Sequence, residues 1–419
     1  MLERDRQFVW HPYTQMKTAP PPLAIVRGQG VYLYTEDGRK LLDGISSWWV
    51  NIHGHAHPRL NQAIADQAKR LEHVIFAGAT HEPAVDLAER LVGVLPAGLT
   101  KIFYSDNGST AVEVAVKMAT QYWRNQGQPL RQRIVALHHA YHGDTIGTMA
   151  VSARSVFTEA FNHLLFPVDT VNPDGVDSHL QRFGERIAAV IVEPMLQGAG
   201  GMIMWPAESL AHVREACYRH GVLMIADEVL TGFGRTGRMF ACEHASVTPD
   251  IMCLSKALTA GYLPLAATAT TNAIYDAFLS DDRTKTFFHG HSFTANPLAC
   301  AVGLASLDLI EEGRVLDRIA RLERQLRDGL APLKDAPRVA DVRVLGGVGV
   351  VELESDGGYL DSLGPRLYDE FLTRGLLLRP LGNIVYFMPP YVISDAEVDW
   401  VMACIREVVL QVLPSVTKE

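Results

Sequence analysis

A carboxylate and an amine each close a short apolar run in the middle of the chain. Val222-Leu223-Met224-Ile225-Ala226 runs into Asp227-Glu228, and Ile251-Met252-Cys253-Leu254 runs through Ser255 to Lys256. Apolar runs of that length, the first bounded by Gly221 and the carboxylate pair, suit strands buried on both faces of a parallel sheet. Two such strands would deliver Asp227 and Lys256 to one end of the sheet, where open α/β folds bind their ligands. Taken singly, Asp227 reads equally as a helix cap and Lys256 as a solvated surface residue. Together they point to a pyridoxal phosphate site, in which the amine links to the cofactor's aldehyde and the carboxylate keeps its ring nitrogen protonated.

Other segments offer groups that would serve such a site. Lys101-Ile102-Phe103-Tyr104 runs into Ser105-Asp106-Asn107-Gly108-Ser109-Thr110, and Val112, Ala115, Val116, Ala119, Tyr122 and Trp123 then recur at helical spacing. A strand, a Gly-Ser turn and a helix N-terminus make an anion site, because free backbone N–H groups and the helix dipole face the turn. The same residues also fit an ordinary helix capped by Ser109 or Thr110. Arg133 to Leu137 reads as a strand leading into His138-His139-Ala140-Tyr141-His142-Gly143-Asp144-Thr145. There Tyr141 is suited to stack on a flat ring and Asp144 to accept a hydrogen bond, unless both are structural.

Trp48 and Trp49 follow Leu41-Leu42-Asp43-Gly44-Ile45-Ser46-Ser47. On a strand the two rings would face opposite sides, so one is free to wall an apolar substrate pocket. Arg379, between Leu376-Leu377-Leu378 and Pro380, carries a planar fork that matches a carboxylate in two hydrogen bonds. His53, His55 and His57 lie in a Gly- and Pro-containing turn with no cysteine or carboxylate close by, so a metal site is not expected there. The same holds for His138, His139 and His142, and for His289 with His291.

The elements that must position these groups alternate in βα fashion. Helical spacing covers Leu60 to Leu71 and Pro83 to Leu91. Ala188 to Val192 is a further buried strand ending at Glu193, followed by a loop with Gly198, Gly200 and Gly201. Ser209 to His220 is amphipathic and stops at Gly221. A long helical pattern starts at Leu298 and continues through Ile319, Leu322, Leu326 and Leu330. Before this region, Val31 to Tyr34 and Asp37-Gly38 read as a hairpin strand and its turn. After it, Val342 to Leu345, Val348 to Leu353, Leu376 to Arg379 and Ile384 to Met388 read as strands. A helix spans Pro365 to Arg374, and Ser394-Asp395-Ala396-Glu397 is a capping box.

The 419 residues are enough for a large core and one or two domains. A net charge of −9 argues against nucleic acid as a partner. The five cysteines are scattered without a CxxC pair, which favours free buried thiols. No apolar run reaches the ~20 residues of a membrane span, and the charged start does not open a signal peptide. A soluble cytoplasmic protein is expected.

Over essentially its whole length the chain resembles the subgroup III (ω-) aminotransferases of pyridoxal-phosphate fold type I. The resemblance is carried above all by Ile225-Ala226-Asp227-Glu228-Val229-Leu230-Thr231-Gly232-Phe233-Gly234-Arg235-Thr236-Gly237 and by Ser255-Lys256-Ala257-Leu258-Thr259. It implies an aspartate aminotransferase-like α/β fold: a large cofactor domain over residues 55–310, with a mainly parallel sheet flanked by helices, and a smaller α+β domain from residues 1–54 and 311–419. It also implies a homodimer with active sites at the subunit interface.

By the same resemblance Lys256 is the catalytic lysine and Asp227 the pyridinium partner, with Gly108 and Ser109 the phosphate turn and Tyr141 beside the ring. Gly290, His291 and Ser292 match a segment that reaches across the dimer to the other subunit's cofactor phosphate. Within the family, four segments narrow the likeness to the branch working in biotin biosynthesis. They are Trp10-His11-Pro12-Tyr13-Thr14, Ser46-Ser47-Trp48-Trp49, Ala140 to Thr145 and Arg379-Pro380-Leu381-Gly382. That branch implies transfer of an amino group from S-adenosylmethionine to 8-amino-7-oxononanoate, with Tyr13, Trp48, Tyr141, Asp144, Gly290 and Arg379 about the substrate. The family commonly reads His-Gly-Pro-Thr where this chain has His289-Gly290-His291-Ser292, which leaves lysine as an alternative donor. A general ω-aminotransferase acting on ornithine, 4-aminobutyrate or a β-amino acid is the other alternative.

Overall fold

A computed structural model describes residues 1–355 and 357–412. The apolar runs of the middle region form one seven-stranded sheet. Its strands, in chain order, are β1 (Leu99–Ser105), β2 (Arg133–Leu137), β3 (Asp169–Val171), β4 (Ile187–Val192), β5 (Leu223–Asp227), β6 (Ile251–Leu254) and β7 (Ala266–Thr271). Their spatial order is β1-β7-β6-β5-β4-β2-β3. The pairs β6-β5, β5-β4, β4-β2 and β2-β3 are parallel, and only β7 runs against its neighbours.

Every residue of β4, β5 and β6 is buried, so both faces of the sheet are covered. This is why these segments read as unbroken apolar runs and not as alternation. On one face the helix Gly108–Asn125 packs Ala111, Val112, Ala115 and Ala119 against Ile134, Ile191, Ile225 and Ile251. On the other, Val135, Val190, Met224 and Met252 meet the helices Pro58–Ala68, Glu82–Val94, Ala207–Arg219 and Pro297–Glu312.

The two ends of the chain share a further core. The strands Ile25–Gln29, Tyr32–Thr35 and Lys40–Asp43 are joined by Leu376–Leu377, which pairs parallel with the third of them. Val339–Leu345, Val348–Leu353 and Ile384–Phe387 form an antiparallel sheet. Leu42, Ile45 and Trp49 pack in one cluster with Leu322, Leu326, Phe371, Tyr386, Phe387 and Val401.

Several local expectations are corrected. Trp48 and Trp49 are not on a strand: the strand ends at Asp43, and Ser46 to Trp49 form a left-handed turn with positive φ at all four residues. The helix at Gly108 is capped by Asn107 in a capping box with Thr110, not by Ser109 or Thr110. The helical pattern from Leu298 to Leu330 is two helices, because Gly313 ends the first and Arg314 adopts a left-handed conformation before Val315–Leu330. The glycines after Glu193 turn a small hairpin, Leu196–Gln197 with Ile203–Met204. The helix expected from Pro365 begins at Leu363, and the strand at Leu376 stops after Leu377. The Ser394 capping box is as expected. Among the described residues no helix is long and apolar enough to cross a membrane, and all five cysteines are free and buried.

Candidate active site

The parallel pairing of β5 with β6, which aligns Asp227 with Cys253, sets Asp227 and the following Ser255-Lys256 at the same sheet end. A cavity of about 610 Å³ opens there. Its walls include Asp227, Lys256, the turn Asn107-Gly108-Ser109, and Tyr141, His142 and Asp144 from the loop after β2. Trp49, Glu193, Val229 and Tyr262 complete much of the rest.

Lys256 occupies the first position after Ser255 with φ +20°, and its Nζ lies 4.7 Å from the centre of the Trp49 ring. Burial pushes the Lys256 ammonium below its usual pKa, aided by Arg235 and opposed by Asp227 and Glu193. A lowered amine pKa favours the neutral nucleophile. Asp227, 5% exposed, accepts from the Val229 N–H at 3.1 Å through Oδ1 and faces His142 Nδ1 at 2.7 Å through Oδ2. The other ring nitrogen of His142 is buried without a partner among the described residues. Glu193 takes the Tyr141 N–H at 2.9 Å and the Gly198 N–H at 3.0 Å. Burial nonetheless pushes its carboxyl up to about 7, with the Asp227 charge adding and His142 opposing.

The turn before Gly108–Asn125 suits a phosphate. The Asp106 and Asn107 N–H groups are taken by the Thr110 hydroxyl, at 3.1 and 2.9 Å, and the Thr110 N–H by Asn107 Oδ1 at 3.0 Å, while Gly108 and Ser109, the first residues of the helix, line the cavity. A side chain at Gly108 would stand 2.6 Å from Val229 Cγ1, and one at Gly143 would stand 2.1 Å from Ser109 Oγ. Both glycines keep the cradle open. With an enclosed lysine, a buried aspartate and a helix N-terminus on one cavity, the donor set fits pyridoxal phosphate.

Beside the cavity is a second group of predicted residues. The Tyr13 hydroxyl donates to Asp144 Oδ2 at 2.5 Å and lies 3.2 Å from the Tyr141 hydroxyl. Burial and the Asp144 bond raise Tyr13 to about 12, and burial with the Tyr13 bond raises Tyr141 as well. The Trp48 ring, 40% exposed, packs edge-on to Tyr13 at 5.6 Å. The Arg379 guanidinium sits 4.7 Å from the Trp48 ring centre and 6.0 Å from that of Tyr13. Tyr141 and Asp144 belong to both groups, so the aromatic and cationic rim adjoins the lysine cavity.

The structure does not bring Gly290, His291 and Ser292 to this cavity. Gly290 and Ser292 are exposed, and His291 lies 3.1 Å from His289 and 3.9 Å from Asp106. Of the first histidine group, His53 is hydrogen-bonded to Ser306 and His55 to Asp43.

Four residues at or behind the site were missed in the sequence. Glu193 had the same signature as Asp227, a carboxylate closing a buried apolar run. Trp49 belonged to the pair expected to supply a pocket wall, but the role went to Trp48, and His142 and Arg235 had no comparable signal. Arg235, 1% exposed, donates to the Pro389 carbonyl at 2.9 Å and packs against the Tyr391 ring.

The model of the class-III aminotransferase family matches residues 13–409. The chain is 49% identical to adenosylmethionine-8-amino-7-oxononanoate aminotransferase of Synechococcus elongatus, over 95% of this chain and 97% of that one. It is 46% identical to the enzyme of the same name from Geobacter sulfurreducens, over 95% and 94%. A crystal structure of the Methanocaldococcus jannaschii enzyme of that name superposes with a TM-score of 0.94 at 37% identity, covering 97% of this chain and 98% of that one. An amine transaminase from an uncultivated Pseudomonas species, in its pyridoxal-phosphate-bound form, superposes with a TM-score of 0.90 at 34% identity, covering 96% and 98%. Fold, family model and relatives agree: this chain belongs to the class-III aminotransferases, and it is a pyridoxal-phosphate-dependent transaminase.

Proposed function

We propose that the chain transfers the amino group of S-adenosylmethionine to 8-amino-7-oxononanoate, giving 7,8-diaminononanoate in biotin biosynthesis. The observation that carries this reading is the rim beside the lysine cavity, where Trp48 and Tyr13 form an apolar wall against which the Arg379 guanidinium lies. No hydrogen bond or ion pair engages that guanidinium among the described residues. A flat aromatic wall suits a long methylene chain, and a free planar fork suits a terminal carboxylate. Relatives of nearly the same length bear the name of this activity.

Bound pyridoxal phosphate supplies a ring that takes up the electron pair released when the amine's Cα–H bond breaks. The residues of this chain do the rest. Lys256 would hold the cofactor through its amine, and once the donor's amine has taken that place and released Nζ, the freed amine would carry the proton removed from Cα. Asp227, fixed by His142 and the Val229 N–H, keeps a positive charge on the ring nitrogen. Gly108 and Ser109 would hold the phosphate, and Tyr141, on the same cavity, would stand beside the ring. Asp144, held by the Tyr13 hydroxyl, would offer its negative charge to the cationic donor. Arg379 orients the carboxylates of donor and acceptor in turn.

The enzyme works as a cytoplasmic homodimer in which Gly290, His291 and Ser292 of each subunit serve the other's phosphate and substrate. Residues 1–54 and 311–419 form the small domain about residues 55–310, a division supported by the core shared between the chain ends.

The deciding experiment is the first half-reaction alone. The holoenzyme is mixed with S-adenosylmethionine or with lysine, without the keto acid, and conversion of the cofactor to its pyridoxamine form is followed by absorbance. S-adenosylmethionine is expected to convert it far faster. Faster conversion by lysine would overturn the donor assignment and favour the His289-Gly290-His291-Ser292 signal.

A further inference from the structure

The four residues that aim the two tryptophans adopt a conformation that their own types disfavour. Ser46, Ser47, Trp48 and Trp49 have φ of 49°, 45°, 73° and 74°. Consecutive left-handed residues without a glycine persist only where their surroundings impose them. Here one buried carboxylate holds much of the turn. Asp43, 0% exposed, accepts from the Ile45 N–H at 3.3 Å, the Ser47 N–H at 2.9 Å and the Ser47 hydroxyl at 2.7 Å. Its second oxygen also meets His55 Nε2 at 2.9 Å.

His55 is itself fixed. The Asn51 amide reaches its Nδ1 at 3.1 Å, an arrangement that leaves the proton on Nε2 toward Asp43. Its backbone pairs with Gly30 on both sides, and a side chain at Gly28 would stand 2.7 Å from its Cβ. The far side of the turn is tied by the Ser46 hydroxyl, which donates to the Met388 carbonyl at 2.8 Å. The turn sends successive rings to different places. Trp49 goes under Lys256, with its Nε1 donating to Tyr386 at 3.1 Å, and Trp48 goes to Arg379 and Tyr13.

We propose that Asp43, with Ser47 and His55, is a positioning residue for transamination: it holds the left-handed turn that seats Trp49 beneath Lys256 and Trp48 against Arg379. Asp43 touches neither the cofactor cavity nor the substrate rim and acts only through the two rings. Asp43→Asn keeps the size of the side chain and an oxygen for the Ile45 and Ser47 N–H groups, but puts an N–H2 donor against His55 Nε2, whose proton it cannot accept.

The test combines kinetics with a readout independent of substrate. Asp43→Asn is expected to raise the KM for the carboxylate-ended keto acid about tenfold while changing kcat less, as expected when a substrate wall is displaced. In a Trp48→Ala background the same substitution is expected to add nothing further to KM, since the substrate wall is already gone, and to keep only its smaller effect on kcat through Trp49. Near-ultraviolet circular dichroism of the apoprotein is expected to lose tryptophan signal in Asp43→Asn, whatever the true substrates prove to be. This separates failure of the present inference from failure of the substrate assignment, on which only the choice of keto acid rests. Should Asp43→Asn not fold, Ser47→Ala removes the hydroxyl contact alone and is expected to shift both readouts in the same direction. Wild-type dichroism in the folded variants, or effects of Asp43 and Trp48 on KM that multiply independently, would overturn the proposal.

Discussion

Replacing Asp227 by asparagine separates the charge of this residue from its shape. The amide is isosteric, and its oxygen can still accept the Val229 N–H that Asp227 takes at 3.1 Å. The nitrogen would then face His142 Nδ1, now 2.7 Å from the carboxylate. His142 can answer by moving its proton to Nε2, which is buried without a partner among the described residues. The fold therefore loses one charge-assisted hydrogen bond and gains a buried unpaired donor, a cost of about 1–3 kcal/mol. The chemistry loses more, because Asp227 is 5% exposed and a charged ring nitrogen would be left without its counter-ion. Breaking a buried ion pair costs about 3–5 kcal/mol, which corresponds to roughly two to four orders of magnitude in rate. The assay is kcat/KM for the overall reaction, with apoprotein unfolding measured beside it. A folded variant within about threefold of wild type would refute the pyridinium assignment, since that range corresponds to under ~1 kcal/mol.

Lys256→Ala is expected to abolish turnover without lowering the apoprotein's unfolding midpoint, because burial already disfavours the ammonium it removes; substantial residual transamination would mean another lysine does the work. An inactive Ser292 variant mixed with a Lys256 variant is expected to regain activity, because one site of the heterodimer carries both lesions and the other neither. If mixing restores nothing despite demonstrated subunit exchange, Ser292 acts within its own chain. Glu193 makes the apoprotein's stability depend on pH. The folded carboxyl, pushed up to about 7 from 4.5, keeps its proton after the unfolded chain has released its own. Its contribution is therefore full below pH 4.5 and lost as pH rises through about 7. Wild type should lose about 3 kcal/mol relative to Glu193→Gln between acid and alkaline pH, measured by urea unfolding, and a pH-independent difference would contradict it.

The sequence by itself determined the parts of this protein that rest on local pattern. β4, β5 and β6 were legible because a strand buried on both faces must be apolar at every position. Asp227 and Lys256 stood out because each closes such a run, and parallel strands necessarily deliver their ends to one side. The capping box at Ser394 and the stop at Gly221 were likewise written in a few neighbouring residues.

Tertiary structure decided what depends on residues distant in the chain. Nothing near Asp227 announces that His142 will hold it, and nothing near Arg235 foretells that Pro389 and Tyr391 will enclose it. The tryptophan pair shows the reason most directly. Strand periodicity would place the rings on opposite faces, but the strand ends at Asp43, where Asp43, His55 and Met388 converge on the following turn. Local propensity disfavours four left-handed residues in a row. They exist because contacts made only after the chain has folded outweigh that preference, and the directions of Trp48 and Trp49 follow from those contacts.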